Sequence, residues 1–118
     1  MQKAVIIIPT FNEANDIENV INAVYDSVAK IKNWQFSVLV IDSTSPDGTA
    51  EIVKRLQKKH NDLVLLITKK EGLGKAYMTG FKYALETLHA DLLFEMDADF
   101  SHDPSVLPKF VKKIEEGA

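Results

Sequence analysis

Residues 3–9 read KAVIIIP, a lysine, five apolar residues and a proline. A β-branched run without polar alternation suits a strand buried on both faces, and Pro9 closes it. Such a strand requires helices on both sides of its sheet. The next segment supplies one. Ile17, Val20, Ile21, Val24, Val28 and Ile31 fall at helical spacing, which predicts an amphipathic helix over residues 12–31. The alternation then repeats. FSVLVI (36–41) reads as a second strand, DSTSPDGT (42–49) as a turn, and residues 50–59 as a helix. LVLLI (63–67) is a third strand and TKKEGLG (68–74) a loop. Leu73, Ala76, Tyr77, Phe81, Ala84, Leu85 and Leu88 mark a helix over 73–88. A fourth strand is expected at 91–96, and a last helix from Pro104 to about residue 116, with Asp103 as its N-cap. Four strand–helix units define an α/β class, a mostly parallel sheet between two helical layers with right-handed crossovers.

Composition excludes several functions. The 118 residues are 46% hydrophobic and 26% charged, with net charge −3, which suits one soluble domain over residues 1–118. There is no basic field to attract nucleic acid and no basic amphipathic helix for a membrane surface. With no cysteine, disulfides and thiolate metal sites are ruled out. His60, His89 and His102 are scattered, and only His102 lies near other candidate ligands. The apolar run 4–8 is far too short for a signal segment or a membrane span.

In parallel sheets ligands bind beyond the carboxyl ends of the strands. The segments there are PTFNE, DSTSPDGT, TKKEGLG and DADFSHD, which this architecture gathers along one edge. The fourth holds Asp97, Asp99 and Asp103 within seven residues. Carboxylates that close repel unless water screens them or a cation lies between them. A solvated loop is one reading. The other is a hard divalent cation, Mg²⁺ or Mn²⁺, since Asp97 and Asp99 would face the same side of an extended segment. Asp42, ending the second strand, can accept hydrogen bonds from a base or a ribose. Glu13 either faces the positive end of the following helix or touches ligand. Ser45, Pro46, Asp47 and Gly48 read as turn-formers. Gly74-Lys75 is not a phosphate-binding P-loop, because Lys69 and Ala76 stand where a glycine and a hydroxyl are needed. Lys75 could still reach a phosphate. Gly80, inside a helix, implies close contact with the sheet. A response-regulator reading fails, because PTFNE and TKKEG occupy the places where its acids would stand.

VIIIPTFNEANDIENVI (5–21), VIDSTSPDGTAEIV (40–53), GLGKAYMTGFKYAL (72–85) and FEMDADFSHDPSVLP (94–108), in that order, resemble the family-2 glycosyltransferases of the Rossmann-like GT-A fold. Within them the chain looks most like the polyprenol-phosphate sugar transferases, dolichol-phosphate mannose synthases in particular. The resemblance covers essentially all 118 residues. It implies that Pro9, Thr10, Phe11 and Glu13 line a nucleotide pocket and that Asp42 contacts the base. It also implies that Asp97 and Asp99 bind the metal holding the donor diphosphate, with Ser101 close by. The family commonly carries a second acid where Ser43 stands. The implied activity is inverting transfer of mannose from GDP-mannose to dolichol or polyprenol phosphate. The alternatives are a family member using a UDP-sugar and a nucleotide- or metal-binding module without turnover. The implied location is cytoplasmic, at a membrane face through the acceptor or through parts beyond residue 118. Because the alternation stops after a helix closed by Gly117, the expectation is an amino-terminal piece whose open sheet edge favours self-association.

Overall fold

The structure, a computed structural model, describes residues 2–99 and 104–117. Four parallel strands form one sheet: β1 (Gln2–Thr10), β2 (Trp34–Asp42), β3 (Leu63–Ile67) and β4 (Leu92–Glu95). The helices are α1 (Ile17–Val28), α2 (Thr49–Leu56), α3 (Leu73–Glu86) and α4 (Leu107–Glu115), the last preceded by a 3₁₀ turn, Pro104–Val106. Strand order is β3-β2-β1-β4. The chain steps outward from β1 through β2 to β3, then crosses back to the other side of β1. The order therefore reverses between β1 and β4, which is where open α/β sheets form their ligand crevice.

Side-chain alternation along β1 builds two cores. Ala4, Ile6 and Ile8 point into the layer of α1, α2 and α4, against Ile17, Val20, Val53, Leu107 and Val111. Val5 and Ile7 point the other way, with Leu39 and Ile41, beneath Ala76 and Ala84 of α3. Residues 4–8 are all fully buried, as a strand covered on both faces requires. Among the described residues a single helix, α3, covers the second face. It lies close because Gly80 has no side chain: a Cβ there would come within 2.9 Å of Ile7 Cγ2.

Pro9 lies inside β1 instead of stopping it, paired in register with Ile41. The ladder tolerates it for a geometric reason. Lys3 and Ile7 turn their backbone groups toward β4, accepting bonds from the N–H groups of Asp91 and Met96, whereas Thr10 O accepts from Ser43 N–H on the β2 side. By this alternation Pro9 faces β4, and the β1–β4 register ends earlier, at Ile7 and Glu95. The donor that proline lacks would have met no strand.

Helix α1 begins at Ile17, five residues later than expected, and ends at Val28. Asn12 takes a left-handed conformation (φ 57°), and the backbone N–H groups of residues 12–14 bond to side chains of another loop. Strand β4 is shorter than predicted. Pro104 starts the 3₁₀ turn and the α-helix waits until Leu107. Asp103, the expected N-cap, lies outside the described residues. Among the described residues no helix is long and apolar enough to cross a membrane.

Candidate functional site

A cavity of about 380 Å³ opens at the carboxyl edge of the sheet, and all four strand-end segments contribute to it. Pro9, Thr10, Phe11 and Glu13 come from the end of β1, and Ser43 follows β2. Lys70, Gly72, Leu73 and Ala76 come from the loop after β3 and the first turn of α3, and Asp97, Ala98 and Asp99 follow β4. Gly72 takes φ 96°, ψ 163°, a combination that suits glycine, and so turns the chain abruptly into α3.

The expected residues therefore largely meet, but by a different local route. Asp97 and Asp99 do not share a face of an extended strand. Strand β4 ends at Glu95, and residues 98 and 99 form a turn that carries both aspartates to the same cavity. The Tyr77 hydroxyl of α3 reaches Asp97 Oδ1 at 3.4 Å. Burial, and then the charge of Asp97, pushes the Tyr77 hydroxyl up to about 12, so it stays a donor at neutral pH. Across the cavity the Glu13 carboxyl is held above its ordinary range, first by burial and then by the carboxylates of Asp99, Asp16, Asp47 and Asp97. Negative charge thus converges on this space, and a cation would relieve it. Among the described residues no three potential ligands form a metal-holding group. A cation here would take oxygens from Asp97 and Asp99 and the rest from its ligand and water, the open coordination typical of magnesium at phosphates. The donor set, all oxygen, fits that ion class. Ser101 lies outside the described residues.

Asp42 stands differently from expectation. It is 1% exposed and is not among the residues lining the cavity. Its Oδ1 accepts bonds from the hydroxyls of Thr10 (2.7 Å) and Ser45 (2.6 Å), and its Oδ2 accepts the Ser45 N–H at 2.9 Å. It ties the ends of β1 and β2 together, and Ser43 beside it faces the cavity. Lys75, a candidate for phosphate, projects into solvent in an ion pair with Glu71 at 2.9 Å. Lys70, which sequence reasoning passed over, lines the cavity, with its ammonium 4.0 Å from the centre of the Phe11 ring. The only sequence signal for it was its place in a strand-end loop.

Comparison with protein families matches residues 5–118 to Glycosyl transferase family 2. Among curated proteins, a dolichol-phosphate mannosyltransferase of Pyrococcus furiosus is 34% identical over 116 residues, 98% of this chain and 31% of that protein. The chain thus spans about a third of that relative's length. Among solved structures, the mannosyltransferase PcManGT from Pyrobaculum calidifontis, in complex with GDP-Man and Mn²⁺, superposes with a TM-score of 0.62 at 32% identity. That match covers 69% of this chain and 24% of PcManGT. S. aureus TarS 1–349 in complex with UDP-GlcNAc superposes at 0.71 with 25% identity, over 98% of this chain and 32% of that one.

Proposed function

Because this chain belongs to glycosyl transferase family 2, we propose that residues 1–118 form the nucleotide-sugar-binding part of a polyprenol-phosphate mannosyltransferase with GDP-mannose as donor. The observation that carries this reading is the cavity at the strand-order reversal, where Asp97 and Asp99 face Pro9, Thr10, Phe11, Glu13 and Ser43. In that reading the end of β1 and Ser43 hold the nucleoside. Asp97 and Asp99 hold Mg²⁺ or Mn²⁺, which when bound neutralises charge developing on the departing diphosphate. The Tyr77 hydroxyl orients Asp97 from behind. Lys70 adds positive charge to the cavity beside Phe11.

Two names support the choice of donor and acceptor: the Pyrococcus relative is a dolichol-phosphate mannosyltransferase, and PcManGT was captured with GDP-Man and Mn²⁺. A phosphate acceptor also suits the chemistry, because its oxygen is already ionised near neutral pH and needs little help from a base. A lipid phosphate acceptor would bring the whole protein to a membrane surface. The second reading, a UDP-sugar donor, is favoured by the UDP-GlcNAc-bound neighbour.

Calorimetric titration of GDP and UDP, each with and without Mn²⁺, tests these readings. The expected result is Mn²⁺-dependent binding with GDP favoured. A preference for UDP replaces the donor, and absence of binding for both nucleotides overturns the proposal.

A further inference from the structure

The loop over residues 10–14, which supplies Phe11 and Glu13 to the cavity, makes no regular secondary structure of its own beyond the last residue of β1. Three consecutive backbone N–H groups would otherwise go unpaired there, and each one bonds to a side chain of the segment that runs from the end of β2 into the first residue of α2. Asn12 N–H donates to Ser45 Oγ at 2.9 Å, Glu13 N–H to Thr49 Oγ1 at 3.1 Å, and Ala14 N–H to Asp47 Oδ2 at 3.1 Å. The acceptors alternate along the sequence as S-x-D-x-T. Two of them are hydroxyls whose own protons are committed to carboxylates: Ser45 donates to Asp42 Oδ1, and Thr49 donates to Asp47 Oδ1. A carboxylate only accepts, so the direction of each hydroxyl is fixed and its lone pairs face the amide. Two relays result, each running amide to hydroxyl to carboxylate, and each bond polarises the next. Thr49 is fully buried, so its hydroxyl has no water to turn to.

We infer that Ser45, Asp47 and Thr49 are positioning residues: they clamp the 12–14 backbone and thereby set where Phe11 and Glu13 stand in the cavity, without touching ligand themselves. None of the three lines the cavity. The clamp accounts for Asn12 holding a left-handed conformation (φ 57°), which persists only where surroundings over-determine it. It also gives the SPDGT segment a task beyond turning the chain. The positioning role rests on the nucleotide-pocket reading; the clamp itself does not.

Two measurements separate these. Amide hydrogen exchange reads the clamp without any ligand. In the wild-type chain the amides of Asn12, Glu13 and Ala14 should exchange slowly. In Thr49→Val, Glu13 should accelerate selectively while the β1 and β2 amides keep their rates, and Thr49→Ser should restore protection. Wild-type amides at 12–14 that exchange like those of an open loop overturn the clamp. Nucleotide titration in Mn²⁺ then reads positioning through a double-mutant cycle. Thr49→Val should weaken GDP about tenfold, the equivalent of one lost buried hydrogen bond. In a Glu13→Ala background the same change should cost less than about twofold, since coupled residues are non-additive. Penalties that simply add reduce Thr49 to a general structural role and overturn positioning. A wild-type chain that binds neither GDP nor UDP overturns the nucleotide reading and the positioning role together, and the exchange result then judges the clamp alone.

Discussion

Asp99 lines the cavity and Asp47 stands outside it in the segment after β2, and the two should behave oppositely when changed. Asp99 is exposed at the cavity in a turn after β4. Asp99→Ala should abolish metal-dependent nucleotide binding in calorimetry while changing the unfolding free energy by no more than a surface substitution does, within about 0.5 kcal/mol. Unchanged affinity would remove Asp99 from the metal site. Asp47 is held below its ordinary value by the Thr49 hydroxyl and then by backbone N–H groups, including that of Ala14. A carboxyl whose folded value is depressed stabilises the fold above its unfolded value and loses that contribution as pH falls through the folded value. Asp47→Asn should therefore flatten the loss of stability on acidification below about pH 4, measured by urea unfolding at stepped pH. An acid limb of unchanged slope would mean the loop bonds do not hold in solution. Asp42 shows where residue-level reading stops. Its place at the end of β2 was legible. That Thr10 and Ser45 would occupy both its oxygens was not, because the Thr10 partner lies 32 residues away.

At the scale of elements, periodicity located the pieces well and their ends poorly. Strand β3 was legible to the residue, since LVLLI is bounded by polar residues on both sides. Helix α1 was read as starting at residue 12 because nothing local forbids a helix there. It starts at Ile17 because the preceding amides are taken by side chains 33 to 36 residues away, a tertiary choice that no local pattern records. Strand β2 runs past its apolar stretch at both ends because β1 pairs with it from Trp34 to Asp42. Close packing at Gly80 was legible, since glycine in a helix interior is otherwise unfavourable. Gly80→Ala sets a helix-propensity gain of about 1 kcal/mol against contact with Ile7 Cγ2 at 2.9 Å and Ile41 Cδ1 at 3.1 Å. Both neighbours are β-branched residues in central strands and give way reluctantly, so the change should destabilise by about 1–3 kcal/mol in urea titrations. A stabilised variant would mean that α3 can lift from the sheet at little cost.

For the whole molecule, the family and the α/β architecture were legible from four motifs in order, and the comparisons bear both out. Less visible was how unevenly the two faces are covered. Among the described residues three helices pack on one side and only α3 on the other, while Leu73, Met78, Leu85, Phe110 and Ile114 remain exposed. Both outer strands, β3 and β4, present open edges. The 118-residue chain should therefore associate as its concentration rises, seen as a concentration-dependent sedimentation coefficient, and Phe110→Lys should weaken the effect. A monomer at every concentration would show that these edges and side chains are harmless.

The pairing of Ala4 with Leu92 has a consequence in time. As the chain leaves the ribosome, β1, β2 and β3 can assemble once residue 67 has emerged. The second long edge of β1 must then wait for β4, whose arrival closes a much longer loop. Asp97 and Asp99 travel with β4, so the acidic wall of the crevice is the last part to be built. A nascent chain stalled before residue 92 would hold the rest of the crevice without this aspartate pair, with an apolar strand edge for chaperones to guard.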